Sequence, residues 1–490
     1  MKHRASPTNS SQSRAPLFEA LADYITRSKI PFHTPGHKQG KGIDPEWLNL
    51  VGKEIFKMDL TVLPETDCLF HPTGPIKEAQ KLAAKAYHAD SSYFLVNGST
   101  GGNLTMLMGT LFPNDKVIVP RHTHKSVIAG LIMTGALPVY VHPEVNREWE
   151  LILNLSSDKV EKALGDNPGA RAVFVSSPTY HGICCDLETI ARQAHLNDRI
   201  VMVDQAHGPH LLFHPAFPTS AMEAGADICV ESSHKIIPAL TQASMLHVKG
   251  SNIDMRDLQS VLLLTQSTSP SYLLMASLDL ARRQMALHGR KLLDRTISLS
   301  EGLRKAINRI KGLYCLKSED VKPFRLDPTK ITVFVDNLGI SGYTASKILN
   351  QKYEIQAEMA DWDHVAFIIT MADGPEEIER LLWSLKELAW EYRDKKKLRK
   401  FNIQFPSNYP PMSLTPREAY FASYRTVLLK EAVGEIPTEF LTVYPPGIPV
   451  IVPGERITRE AVDYLEEMRK LGAIIVGPGK VENGKIRVVA

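Results

Sequence analysis

Two short apolar runs, each stopping at polar side chains, constrain this chain more than any other feature. They are Val201-Met-Val-Asp204, followed by Gln-Ala-His207-Gly, and Ala226-Asp-Ile-Cys-Val-Glu231, followed by Ser232-Ser-His234-Lys235. Runs of this length and apolarity predict strands at Ile200 to Val203 and Ile228 to Glu231. As parallel neighbours they would carry Asp204 and Lys235 to one carboxyl edge, where ligands bind in open α/β sheets. A lysine at such an edge can form a Schiff base, and a carboxylate one strand away can pair with a pyridinium nitrogen. Those are the two protein groups that pyridoxal phosphate chemistry needs. Alone, either residue reads equally well as a solvated strand end, so the weight lies in the pair and in what surrounds it.

Further strands are predicted at Ser92 to Val96, Lys116 to Val119, Val139 to His142 and Ala172 to Ser176, with helical segments between most of them. That alternation predicts an α/β domain with a mostly parallel, doubly wound sheet. The first of these strands ends in Asn97-Gly-Ser99-Thr100-Gly101-Gly-Asn103, ahead of a helical run from Leu104 to Leu111. Small residues let the backbone approach an anion, and a helix N-terminus offers it free N–H groups. No Gly-Lys-Ser/Thr follows, so this is not a Walker loop. The second strand ends in Arg121-His-Thr-His124-Lys-Ser126, where the His124 ring could cover a planar cofactor and offer a proton; a helix-capping turn is the plainer alternative. Ser176-Ser-Pro-Thr179-Tyr-His-Gly182 brings hydroxyls to another strand end. The spacing of His207 and His210 invites a metal reading, but no acidic partner matches it and Pro209 interrupts a helix through both. No metal is expected.

A chain of 490 residues exceeds a single core, so several domains are expected. Upstream, Leu17 to Ser28 has helical spacing, and a Pro- and Gly-dense turn holds His37 and Lys38 as candidate anion ligands. A second such turn, Asp67 to Pro75, leads into a helix over Ile76 to Tyr87. Downstream, Ser267-Thr268-Ser269 opens a long helical stretch to about Ile310. A smaller pattern then follows: strand Ile331 to Val335, helix Thr344 to Asn350, strands Ile355 to Glu358 and His364 to Thr370, helix Pro375 to Tyr392. The expected division is an N-terminal arm over 1–60, a large domain over 61–290, a small domain over 291–395 and a C-terminal domain over 396–490.

Apolar content of 43%, charged content of 23% and a net charge of +3 fit a soluble globular protein with no nucleic-acid signature. Only Lys395 to Lys400 gathers positive charge, and it reads as a solvated linker before the Pro-rich stretch Phe405 to Pro411. Five cysteines at irregular positions argue against a disulfide framework and for a reducing compartment. Met1 to Pro16 is polar without an apolar core, unlike a signal peptide or a membrane span. A cytoplasmic enzyme with no membrane partner is the expectation.

Pro35-Gly-His-Lys38, Gly98-Ser-Thr-Gly101, His124-Lys-Ser126, Pro178-Thr-Tyr180, Asp204-Gln-Ala-His-Gly208, Ser232-Ser-His-Lys235, Thr415-Pro-Arg-Glu418 and Tyr444-Pro-Pro-Gly-Ile-Pro449 together resemble the bacterial ornithine/lysine/arginine decarboxylase family. The likeness runs from about Pro31 onward and is to the short form of the family, without its extra N-terminal domain. It implies pyridoxal-phosphate fold type I: a large doubly wound domain, a small α/β domain and a C-terminal α+β domain. It implies that Lys235 carries the cofactor, Asp204 faces its ring nitrogen and His124 stacks on the ring. Ser99, Thr100, Ser232 and His234 would hold or approach the phosphate, and Gly101 and His207 complete the binding set. Lys235 or His234 would return the Cα proton. The family builds its site at a homodimer interface, so Thr268 or Ser269 would reach a partner's phosphate. Glu358 would bind the distal cation of the substrate, with Thr179 also on the substrate side. Gln205 departs from the pattern, since relatives often carry Glu there.

The implied reaction is decarboxylation of a basic amino acid in polyamine biosynthesis: arginine to agmatine first, lysine to cadaverine or ornithine to putrescine next. The rival on the same fold is an aminotransferase, which keeps the α-carboxylate. A regulatory homologue would be expected to lack Lys235 or Asp204, and a metal-dependent hydrolase would centre on His207.

Overall fold

The computed structural model describes residues 11–27, 29–396, 406, 412–444, 447–477 and 484–490. Most of the basic segment and of the Pro-rich stretch after it, together with Pro445 and Pro446, lies outside the described residues. The chain divides into two compact units, Met1–Thr110 with Met202–Leu293, and Leu111–Val201 with Asp294–Ala490.

In chain order, the strands that matter here are β1 Ser91–Leu95, β2 Lys116–Pro120, β3 Leu137–Val141, β4 Ala170–Ser176, β5 Ile200–Asp204, β6 Ile228–Glu231, β7 Ser244–Val248, β8 Lys330–Phe334, β9 Met359–Ala360 and β10 His364–Ile368. The helices are α1 Pro16–Thr26, α2 Pro75–Ala86, α3 Gly98–Met108, α4 Lys125–Thr134, α5 Ser233–Ile236, α6 Met255–Thr265, α7 Tyr272–Ile307, α8 Gly342–Tyr353, α9 Pro375–Glu391 and α10 Pro416–Phe421. The class is mixed α/β with a parallel-rich sheet, as the alternation predicts.

In the first unit the strand order is β1-β7-β6-β5. β5 and β6 are parallel, with Met202 opposite Ile228 and Asp204 opposite Val230. The sequence reading omits β7, which is antiparallel to both β6 and β1. The connection from β6, Ser232 to Ala243, holds α5 and turns and no helix long enough to run back along the sheet, so β7 starts from the edge at which β6 ends. α1, α2, β1 and β7 share an apolar core with Leu17, Leu21, Ile76, Tyr87, Phe94, Met245 and Tyr272 in it. The Asp67 turn is closed by its own carboxylate, which accepts from the N–H groups of Thr73, Gly74 and Ile76 at 3.0, 2.8 and 3.1 Å and so caps α2. His37 is engaged at both ring nitrogens, with Asp59 Oδ2 at 3.1 Å and the Gly40 N–H at 3.2 Å, so its reading as an anion ligand gives way to a turn-locking one.

In the second unit β4-β2-β3 run parallel, and β8, β10 and β9 form an antiparallel sheet with α8 and α9 packed on its core. The strand expected at Ile355 to Glu358 is not formed; only Met359 and Ala360 pair with β10. α8 persists to Tyr353 and is closed by Glu354 in the left-handed region, φ 58°. The Ile355 N–H then returns to Leu349 O at 2.9 Å, so the helix termination consumes the residues whose alternation suggested a strand. A separate core forms around Leu441, Val450, Val462, Leu465, Ile486 and Val488 near the C-terminus.

Tyr343 and Trp362 pack against that core, and polar contacts from Arg121 and Arg417 also tie the C-terminal region to the rest of its unit. At the end of β2, Arg121 donates to both oxygens of Glu455 at 3.0 and 2.9 Å, to Pro449 O at 2.7 Å and to Val450 O at 3.1 Å. Thr415 and Glu418 form a reciprocal cap on α10, at 3.1 and 2.9 Å, and Arg417 donates to Met133 O at 2.7 Å in the last turn of α4. Among the described residues no helix is long and apolar enough to cross a membrane.

Candidate active site

Because β5 and β6 are parallel, their carboxyl ends face one edge, and there the first unit gathers most of the residues singled out above. Asp204 ends β5, and its buried carboxylate accepts from Asn103 Nδ2 at 2.8 Å and from the Ala206 N–H at 3.0 Å. Lys235 lies one turn beyond β6, in α5, half-buried, with Nζ 3.0 Å from Nε2 of buried His207. As an ammonium it donates to that nitrogen, so the ring there is an acceptor.

α3 supplies the third side. It begins at Gly98, earlier than the Leu104 start expected from the sequence, so Ser99, Thr100 and Gly101 form its first turn rather than a loop before it. Three glycines lower intrinsic helix propensity and hid the start; tertiary packing overrides it. A Cβ on Gly102 would lie 2.3 Å from Val230 Cγ2, so only glycine lets α3 sit this close to β6. Ser99 and Asn103, four residues apart, share one helix face. Ser99 Oγ accepts from Ser232 Oγ at 2.8 Å, and Asn103 reaches Asp204. The Gly101 N–H donates to Asn97 O at 3.1 Å, while the amides before it precede the helical ladder, so those N–H groups and the hydroxyls of Ser99, Thr100 and Ser232 could together hold an anion.

His234 donates from Nδ1 to Ala243 O at 2.8 Å, which leaves Nε2 as its acceptor. Burial and, less strongly, the neighbouring Lys235 charge hold its pKa below the ordinary imidazole value against the opposing pull of that carbonyl. The neutral ring is favoured. His210, by contrast, packs edge-on against Phe217. Among the described residues no group of three or more His, Cys, Asp or Glu side chains could hold a metal ion.

Of the remaining candidates, Thr268 belongs to the first unit and His124, Thr179 and Glu358 to the second. Thr268 is exposed in the turn between α6 and α7 of the first unit. His124, in the second unit, caps α4: its Nδ1 accepts from the Ser126 N–H at 3.2 Å and pairs with Ser126 Oγ at 2.8 Å, leaving Nε2 to carry the ring proton. Thr179 Oγ1 accepts the Ile183 N–H at 3.2 Å, and Glu358 is exposed just before β9. Asn103 joins Asp204 without a motif of its own; its four-residue spacing from Ser99 is the signal the chain carries for it.

The Orn/Lys/Arg decarboxylase major-domain model matches residues 15–377, and the C-terminal-domain model of the same family matches 399–479. Over 98% of both chains this one is 39% identical to an arginine decarboxylase of Bacillus anthracis and 38% identical to one of Bacillus subtilis. The lysine decarboxylase LdcF of Francisella novicida superposes with a TM-score of 0.85 at 23% identity, covering 98% of this chain and 82% of that one.

Proposed function

This chain belongs to the Orn/Lys/Arg decarboxylase family and is a basic amino acid decarboxylase, and we propose that it converts arginine to agmatine and CO₂ with pyridoxal phosphate held at the Asp204–Lys235 edge. The observation that carries the reading is the donor set itself. A half-buried amine and a buried carboxylate held by neutral donors stand at the ends of two parallel strands, beside an anion cradle at a helix N-terminus. That set fits the cofactor's aldehyde, ring nitrogen and phosphate in turn. When bound, the cofactor supplies an electron sink beside the Cα of the amino acid.

The chain's own residues would do the rest. Lys235 would bind the cofactor through its amine, and Asp204, oriented by Asn103 and the Ala206 N–H, would face the ring nitrogen and favour its protonated form. Ser99, Thr100 and Ser232 would hold the phosphate beside Gly101, His234, whose Nε2 accepts, would approach it without donating to it, and His124 would cover the ring. His207 Nε2 accepts a hydrogen bond from Lys235 Nζ and so steers which way that amine points. With His234 held neutral, Lys235 is the better donor of the proton that replaces the departing carboxylate at Cα. Glu358 and Thr179 would meet the substrate, a carboxylate being suited to bidentate pairing with guanidinium. We also propose a homodimer in which Thr268 serves the partner's phosphate, a cytoplasmic location, and the division at 60, 290 and 395. Agmatine is a polyamine precursor, which makes the reaction one of polyamine biosynthesis.

Incubating purified protein with arginine, lysine and ornithine separately, and identifying the amine released, tests the substrate. Faster release of cadaverine or putrescine than of agmatine would defeat arginine. Borohydride reduction and peptide mapping should place the pyridoxyl group on Lys235.

A further inference from the structure

The turn that carries Asp204 and His207 is fastened from beneath by two residues that the reaction does not use. Gln205 is 1% exposed and Glu231, the last residue of β6, is 2% exposed. Gln205 Nε2 donates to Glu231 Oε1 in a short contact and to Gly208 O at 3.2 Å, while its Oε1 accepts the Ala221 N–H at 2.6 Å. The environment fixes the amide's orientation: its oxygen must meet a backbone N–H and its nitrogen a carboxylate. On the far side, Glu231 Oε2 lies 3.7 Å from His247 Nε2, and His247 Nδ1 is 2.7 Å from Ser92 Oγ. Tyr87 stacks on the His247 ring at 4.4 Å. The contact therefore joins a buried polar patch to the loop between Asp204 and Gly208.

We infer that Gln205 and Glu231 form a buried amide–carboxylate clasp that positions the Asp204–His207 turn against Lys235. Both are positioning residues. The clasp specifies composition rather than order. Two carboxylates buried within hydrogen-bonding distance cannot both ionise, and two amides can still bond, though without the strengthening that a charge brings. An amide and a carboxylate exchanged between the two positions keep the bond between them and an acceptor for the Ala221 N–H, and lose only the longer bond to Gly208 O. The inference deepens the reading of Asp204 and Lys235 as the cofactor's holders, and rests on it only where cofactor binding is measured.

The test uses the full chain carrying Gln205→Glu, Glu231→Gln, or both. Four quantities are followed: the unfolding midpoint of cofactor-free protein, the Kd for pyridoxal phosphate by absorbance titration, and KM and kcat at saturating cofactor. Gln205→Glu should lower the midpoint most and weaken cofactor binding roughly tenfold or more, and Glu231→Gln should weaken it roughly threefold. The double exchange should bring both readouts back to within about threefold of the parent, a coupling that independent sites do not show. KM for the amino acid should not move once cofactor saturates. If Gln205→Glu fails to fold, folding of the double exchange supports the clasp, and its failure overturns it. Parent-like behaviour of Gln205→Glu, or no recovery in the double exchange, also overturns it. Recovery of the midpoint with an unmoved cofactor Kd in every variant would overturn the positioning role. Borohydride labelling of the parent at another lysine would defeat the cofactor reading and leave the unfolding cycle to decide on the clasp.

Discussion

Asp204 and Glu455 are both buried carboxylates, and the difference in what holds them separates a site from a fastening. Glu455 receives two hydrogen bonds from the guanidinium of Arg121, itself 1% exposed and further tied to two backbone carbonyls. Its charge is neutralised where it stands. Asp204 is held by an amide and a backbone N–H, which orient a negative charge without cancelling it. The Arg121–Glu455 pair fastens the C-terminal region to β2; Asp204, met by neutral donors alone among its hydrogen bonds, is the carboxylate that the proposed reaction would use.

This contrast fails if the two places respond alike to substitution. The largest effect is expected at the site: Lys235→Ala should cut decarboxylation roughly a thousandfold or more, with the urea midpoint of the cofactor-free protein unchanged. Next, Arg121→Met should lower stability by about 3–5 kcal/mol because Glu455 is left buried and unmatched. Adding Glu455→Leu should recover much of that loss in urea unfolding. A small effect of Arg121→Met would mean that the guanidinium is not what holds the C-terminal region. Asp204→Asn removes the carboxylate charge while keeping a polar side chain; turnover should fall roughly a hundredfold with the unfolding midpoint nearly constant. The smallest effect belongs to the α10 cap, where Thr415→Ala should cost about 1 kcal/mol and leave kcat and KM alone. A change in KM there would link the cap to the site and blur the contrast.

Asp204 and Lys235 were legible because each follows an apolar run of strand length, and strand ends are where open sheets place ligands. β7 was not, since its five residues include a serine and a histidine and no turn pattern marks it off. The start of α3 was hidden by glycines whose purpose, close approach to Val230, is a tertiary fact. Ile355 to Glu358 misled because four residues of alternation are weak against a helix that runs three residues further than its pattern suggests. Asn103, Gln205 and Glu231 went unassigned for one reason: a buried polar pairing between distant segments leaves no period in the chain. His124 carried two readings from the start, and the capping geometry is present without displacing the other.

The antiparallel course of β7 bears on how the edge is assembled in time. β6, α5 and β7 amount to a hairpin whose loop carries Lys235, so its pairing joins residues close in sequence. Asp204 comes to the same edge by parallel pairing of β5 with β6, and the partner that steadies it, Asn103, belongs to a segment far upstream. Loop closure over short separations is entropically cheaper, and pairings between distant segments are the slow ones. In a refolding chain the hairpin around the amine therefore forms first, and amide protection around Met245 and Leu246 should precede full burial of Asp204.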